Sequence, residues 1–318
     1  MRKSPKIAIK PQIYINSFPP SNPIPHKNLQ LPQTANFSHK NALSGTILLY
    51  CMGMACGCAR RTDNVVCSEP TSGRPQALNA LKHLGELYHN SVLSPKLKPY
   101  FQRALEGSSA EITRFTLKLS RLGLKDLESL AQVLPFYAEV TELQLWKVGL
   151  SGHRMDLLRS ALDSLVDITV LALEDNCIDD PAALSLSRRL EKWTNLKEIW
   201  LPANDLTAKG ICCIMEALQC CRQVEVLSLA YNDLGTPGSA VVCKFLLSRS
   251  PLRLLSLENN EISSSVNSGL ESLGRLNPPL ERTDLRCNLF TDAECAQLRT
   301  EFGAAKVCVK AQRPPLLV

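Results

Sequence analysis

Apolar residues recur along this chain with a period of 28. Ile112, Val140, Ile168, Leu196, Val224, Leu252 and Leu280 each stand 28 residues after the last, with no insertion between them. Each opens the pattern apolar-x-x-apolar-x-apolar-x-x-Asn-x-apolar, as Leu196, Ile199, Leu201, Asn204 and Leu206 show. The first eleven positions alternate as a strand does, with the fourth and sixth facing one way. The rest of the unit carries a helical period. Its nineteenth position is Leu130, Leu158, Leu186, Ile214, Val242, Leu270 and Leu298, and its twenty-third is apolar in every unit but one, where Gly274 stands. Residues four apart share a helix face, so each helix is predicted to lay an apolar stripe back onto its own strand. One strand and one helix cannot bury that surface alone, whereas stacked units bury it against each other.

The predicted architecture is therefore an α/β solenoid of seven strand–helix units, a horseshoe with a parallel inner sheet and outer helices. At the ninth position Asn176, Asn204, Asn232, Asn260 and Asn288 are expected to satisfy backbone groups left open where the chain turns off the strand. The first two units depart from this, with Ser120 and Val148 there. The segments Leu196-Lys-Glu-Ile-Trp-Leu-Pro-Ala-Asn-Asp-Leu206 and Val224-Glu-Val-Leu-Ser-Leu-Ala-Tyr-Asn-Asp-Leu234, with Gly210 and Gly238 where the helix opens, resemble the ribonuclease-inhibitor-like subclass of leucine-rich repeat proteins. The resemblance spans about two thirds of the chain. It implies a horseshoe fold and a binding role without naming a partner: the family includes nuclease inhibitors, innate-immune receptor tails, Ran GTPase-activating proteins, actin-capping proteins and ciliary scaffolds. Nuclease inhibitors of this subclass are cysteine-rich and unfold on oxidation, which the resemblance extends as an expectation to the 13 cysteines here.

Strand alternation turns the third, fifth, seventh and eighth positions of each unit outward, onto the inner face of the curve. Trp146 and Trp200 fall on that face, where a solvated strand has no need of them, and Tyr231 joins them. Glu142, Glu174, Asp175, Glu198 and Glu258 cluster in the same units, with Asp284 and Arg286 at the far end. Aromatic anchors ringed by charge supply binding energy at protein interfaces. These ten residues are the candidate partner-binding set, and a partner with basic and apolar features is expected to fit the acids. Trp193, in a helical segment, reads as structural. Seven strands make a surface about 30 Å long.

The formal charge of +6 comes from one end of the chain. Residues 1–62 hold eight Lys and Arg and no acid, so residues 63–318 sum to −2. The solenoid itself lacks the basic excess that a nucleic-acid partner requires. Residues 1–74 read as a disordered basic leader, with seven prolines among the first 41. Residues 75–111 read as a pair of helices capping the solenoid, 112–309 as the repeat domain and 310–318 as a flexible tail. Cys308, 28 residues after Leu280, is placed to begin an eighth strand.

Within the leader, Ala42–Ala59 is an apolar stretch of 18 residues, barely long enough for a membrane span and interrupted by glycines. If translation began at Met52, Gly53 would be a myristoylation site and Cys56 and Cys58 palmitoylation sites beside Arg60 and Arg61. Cys51, Cys56, Cys58 and Cys67 lack paired C-x2-C knuckles, so no metal site is read from them. The other cysteines scatter over unlike repeat positions and read as reduced thiols of a cytoplasmic protein, membrane-associated only through its N-terminal segment.

No phosphate loop, dinucleotide fingerprint or nucleophile elbow occurs. His153 is the one histidine within the repeats, and the pair Asp179-Asp180 reads as solvated acids on a turn. No cofactor is expected. The sequence points to a non-enzymatic protein-interaction module, a scaffold, adaptor or inhibitor. Its alternatives are a regulator of a small GTPase resembling Ran GTPase-activating proteins, although the chain lacks their acidic tail, and a ribonuclease inhibitor.

Overall fold

The computed structural model describes residues 74–89, 93–118, 121–248, 251–276, 279–304 and 306–311. The chain divides into two units, Met1–Asn41 and Ala42–Val318, and all described residues lie in the second. The leader, its lipidation candidates Gly53, Cys56 and Cys58, and the last seven residues of the tail fall outside the described residues.

Two helices come first, α1 (Arg74–His89) and α2 (Lys98–Leu105). Strand and helix then alternate: β1 (Arg114–Lys118), α3 (Leu124–Val133), β2 (Glu142–Trp146), α4 (His153–Leu157), α5 (Arg159–Ser164), β3 (Val170–Ala172), α6 (Asp180–Leu190) and β4 (Glu198–Trp200). They continue as α7 (Ala208–Ala217), β5 (Val226–Ser228), α8 (Gly235–Ser248), β6 (Leu254–Ser256), α9 (Leu270–Leu273), β7 (Arg282–Asp284), α10 (Asp292–Phe302) and β8 (Val307–Cys308). The eight strands form one parallel sheet in chain order. From β1 to β7 each strand pairs in a register of 28, as Glu142↔Val170 and Val170↔Glu198 show. The last step is shorter. Val307 pairs with Thr283 and Cys308 with Asp284, a register of 24. The eighth strand begins at Val307, one residue before Cys308, and its register falls four residues short of the 28-residue period.

The apolar stripe is buried as its period demands. All seven residues at the nineteenth position, from Leu130 to Leu298, are 0% exposed. Each contributes about 2 kcal/mol of hydrophobic stabilisation, and the neighbouring unit is what completes its burial. Leu143, Leu145, Leu171, Leu173, Ile199 and Leu201 meet them from the sheet in one continuous core. Leu84, Leu97, Phe101 and Ala104 of α1, α2 and their connection belong to that core, so the two helices close the first unit. Tyr100 packs on Phe115 (centroids 4.7 Å apart), Phe115 meets Tyr137 edge-on at 4.9 Å, and the Tyr100 hydroxyl donates to the Thr116 carbonyl at the edge of β1. The twenty-third position accepts Gly274 for a steric reason: a Cβ there would stand 2.5 Å from the Glu301 carbonyl oxygen of α10. The sixth unit accordingly keeps only the four-residue α9, behind the left-handed Gly269.

The turn asparagines form a ladder along the stack. The Asn204 amide nitrogen donates to the carbonyls of Leu173 (2.9 Å) and Leu201 (3.0 Å), and its oxygen accepts from the backbone N–H groups of Asn176 and Ile178 (3.0 Å each). Asn176 and Asn288 bridge neighbouring units in the same way. The residue before the ninth position is left-handed in the second to seventh units: Lys147, Asp175, Ala203, Tyr231, Asn259 and Cys287 have φ between 52° and 57°. Six unlike residues sharing one strained conformation mark it as the turn of the repeat rather than as a local device. In the second unit Val148 stands in place of the asparagine, and the nearby Arg154 guanidinium donates to other turn carbonyls, those of Gly149 and Leu122, each at 2.6 Å.

Asp179 and Asp180 are not solvated acids. Asp179 caps α6 by accepting from Ala182 N–H (3.0 Å), and also accepts from Gly152 N–H (2.8 Å) one unit back. Asp180 reaches forward to the start of α7, accepting from Thr207 N–H (3.0 Å), Gly210 N–H (2.9 Å) and the Thr207 hydroxyl (2.7 Å). The acids stand where helix N-termini leave N–H groups open. Trp193 is buried, its indole donating to the Leu165 carbonyl (2.6 Å).

The nine described cysteines are free thiols. Burial pushes the Cys243 thiol up to about 12 and raises Cys177, Cys287 and Cys295 in the same direction. The thiolate is the reactive form. In the native protein, exposed Cys220 is therefore expected to be alkylated first and Cys287 more slowly, with Cys243 protected until unfolding. Peptide mass mapping after timed iodoacetamide treatment checks this order.

Candidate functional site

The third, fifth and seventh positions of the strands share the sheet face opposite the core, as the alternation predicts. On β2 they are Glu142, Gln144 and Trp146, each half-buried between buried Leu143 and Leu145. Glu174 follows β3 on the same face, and Glu198 and Trp200 lie on β4, both half-buried. Further along, the outward positions sink. Val226, Ser228, Ala230 and Ser256 are 8%, 4%, 5% and 4% exposed. Small side chains packed between taller neighbours become a floor, so these residues face outward without standing out from the sheet.

Glu258 and Asp284, whose alternation also predicts an exposed position, are only 6% and 1% exposed. Arg286 explains it. Its guanidinium clamps Asp284 (2.6 to 3.1 Å) and reaches Glu258 (3.3 Å), which also accepts from the Tyr231 hydroxyl (3.1 Å). Four of the ten candidate residues thus form one polar network at the C-terminal end of the face, which ties β5 to β7. Burial, then the charge of Asp284, raise the Glu258 carboxyl above its ordinary range.

The N-terminal half of the face is arranged differently. Arg114 holds Glu142 through two hydrogen bonds of 2.5 and 3.0 Å. Lys147, in its left-handed turn, places Nζ 3.0 Å from Asp175 and 5.3 Å from the centre of the Trp146 ring. The Trp146 indole N–H is buried with no hydrogen-bond partner, while the Trp200 indole donates to Glu198 (3.0 Å). Ion pairing therefore takes up Glu142, Asp175, Glu258 and Asp284. Among the described residues Glu174 and Glu198 have no ion pair. Burial, followed by Asp175, raises the Glu174 carboxyl, and the nearby lysines Lys118 and Lys147 offset this in part. The free acidity of the face is thus narrower than a count of its acids implies: Glu174 stands level with Trp146, and Glu198 lies beyond Trp200 at the opposite end of the strands.

Sequence reasoning placed the tryptophans and acids on one face but missed the pairing of the acids. Its one available signal was the spacing of 28 between Arg114 and Glu142, Lys147 and Asp175, and Glu258 and Arg286. Residues one repeat apart become neighbours across the sheet.

The comparisons bear on the repeat that carries this face. The chain is 28% identical over 197 residues to NACHT, LRR and PYD domains-containing protein 5 of Bos taurus, covering 61% of this chain and 18% of that protein. It is 29% identical over 160 residues to the Ribonuclease inhibitor of Sus scrofa, covering 49% of this chain and 35% of that protein. The chain is a leucine-rich repeat protein. Its parallel sheet, outer helices and asparagine ladder place the repeats in the ribonuclease-inhibitor-like class. NACHT, LRR and PYD domains-containing protein 3 of Homo sapiens is 26% identical over 242 residues, covering 73% of this chain and 22% of that protein. No protein-family model matches the chain. The leucine-rich repeat chain spans about a fifth to a third of the length of these relatives. Among its described residues no group of three His, Cys, Asp or Glu is placed to hold a metal ion, and no helix is long and apolar enough to cross a membrane.

Proposed function

We propose that the open sheet face from β2 to β5 is the docking surface of a protein-interaction module, a scaffold, adaptor or inhibitor. The observation that carries this is the placing of Trp146 and Trp200 on the face opposite the core. Each is half-buried on a rigid sheet rather than within the hydrophobic cluster. Such side chains lose little entropy on binding and bury a large apolar area. Glu142, Glu174, Asp175, Glu198 and Tyr231 surround them, while Glu258, Asp284 and Arg286 brace the C-terminal end of the surface.

The test is site-directed photo-crosslinking in cells, with a photoreactive amino acid at Gln144 on the face or at Leu184, 47% exposed on α6. Partner adducts are expected from position 144 and not from position 184. Adducts from 184 alone would place the interface on the helices and overturn the reading.

A second reading, ribonuclease inhibition, is favoured by the likeness to the Sus scrofa Ribonuclease inhibitor. It makes the partner a ribonuclease, and titration of the protein into a ribonuclease assay tests it.

A further inference from the structure

The charges of the open face are matched within the chain. Arg114 holds Glu142, Lys147 holds Asp175, and Arg286 holds Asp284 and Glu258. Glu174 lies in the field of Lys118 and Lys147. Glu198 accepts from the Trp200 indole (3.0 Å). A basic partner would compete with cations already in place, and it would lose at the broken pair what it gained at the new one.

The middle of the face is poor in charge. Register sets Ala172 and Ser228 directly beside Trp200 on the neighbouring strands. In the row before, Val170 and Val226 flank Glu198, and Leu254 continues that row on β6. Pro202 and Ala230 follow two residues beyond Trp200 and Ser228. Trp200, Val170, Ala172 and Leu254 keep part of their surface open, while Pro202, Val226, Ser228 and Ala230 are buried. What the sheet offers a partner here is therefore an indole and short aliphatic side chains.

Resting on the docking reading above, we propose that β3 to β6 receive an uncharged, apolar segment of the partner protein, with Trp200 at the centre of the contact. Its binding energy comes from apolar area removed from water. A charged segment is disfavoured, because it would give up its water to a surface whose carboxylates are already engaged. Association of this kind is insensitive to ionic strength, in contrast to docking steered by opposite charge.

The test is selection of a random peptide library on phage against the full chain, followed by calorimetry with the most enriched peptides. The expected peptides carry aromatic and aliphatic residues with no excess of Lys or Arg. Their Kd should change less than about twofold between about 0.05 and about 0.5 M NaCl. Trp200→Ala should weaken them about tenfold or more. Ala172→Asp and Ala172→Lys, which place either charge on the outward side of β3, should both weaken them about fivefold or more. Circular dichroism confirms that each variant is folded, and the two charge variants carry the test if Trp200→Ala is not. Enrichment of basic peptides, or opposite effects of the Asp and Lys variants, would overturn the apolar partner. No enrichment, or affinities unmoved by every variant, would overturn the site. Self-association of the wild type that Trp200→Ala abolishes would make a second copy the occupant and overturn the proposal. These failures are separable from failure of the docking reading. Crosslinking from position 144 together with basic peptides removes the apolar partner and leaves the surface. Adducts from position 184 alone remove the surface, and the proposal with it.

Discussion

Asn204→Leu is expected to lower stability by about 4 kcal/mol, the largest effect of any single substitution away from the hydrophobic stripe. The leucine side chain is similar in size and apolar, so the change tests hydrogen bonding rather than volume. It leaves the N–H groups of Asn176 and Ile178 and the carbonyls of Leu173 and Leu201 without their side-chain partner, in a place where Asn204 is 6% exposed. Each buried polar group left unsatisfied costs about 1 to 3 kcal/mol, and partial relaxation keeps the total below the sum. Aspartate does not rescue the site, because a carboxylate would face two carbonyl oxygens with no proton to give. The urea midpoint of unfolding measures the effect, with Asn195→Leu, at an exposed position on the turn before β4, as the comparison that should barely move it. Equal midpoints for the two variants would show that the ladder does not hold the units together.

The second large effect concerns binding. Trp146→Ala together with Trp200→Ala is expected to weaken capture of the partner at least a hundredfold, since each buried aromatic anchor at an interface contributes about 2 kcal/mol or more. Stability should change far less. Both rings lie outside the hydrophobic cluster, Trp200 gives up one side-chain hydrogen bond to Glu198, and the Trp146 indole N–H has none to lose. The variant therefore separates binding from folding, which a substitution at Leu143 or Leu171 would not do.

Much of this was legible in the residues because a repeat writes the same physics seven times. The fourth and sixth positions gave the buried side of the strands, the nineteenth gave the inner stripe of the helices, and both faces of the sheet follow from the period of two. What the period conceals is everything specific to one unit. Arg154 joins the turns of the first two units through the carbonyls of Leu122 and Gly149, which sequence spacing alone does not connect. Asp180 looked like a solvated turn acid and instead caps the helix of the following unit. The shortened register of β8 depends on how the chain returns from α10, for which the 28-residue pattern supplies no rule. At the candidate site, alternation gives the direction of a side chain but not its height. Ser228 and Ser256 point outward and are still covered, and Glu258 and Asp284 point outward into the grip of Arg286. Exposure depends on neighbours 28 residues away on either side, and only the assembled sheet sets those heights.

The open face of β2 to β5, anchored by two tryptophans, is the surface proposed to dock a partner protein. Quantitative affinity capture with the full chain tests it most directly. It compares the wild type, the Trp146→Ala/Trp200→Ala variant and a Leu184→Ala/Leu247→Ala variant of the helical side, whose residues are 47% and 48% exposed. The same proteins are expected in equal amounts with the wild type and the helical-side variant, and are expected to be lost with the tryptophan variant while its urea midpoint stays in place. Recovery unchanged by the loss of both tryptophans, or abolished by the helical-side change alone, would contradict it.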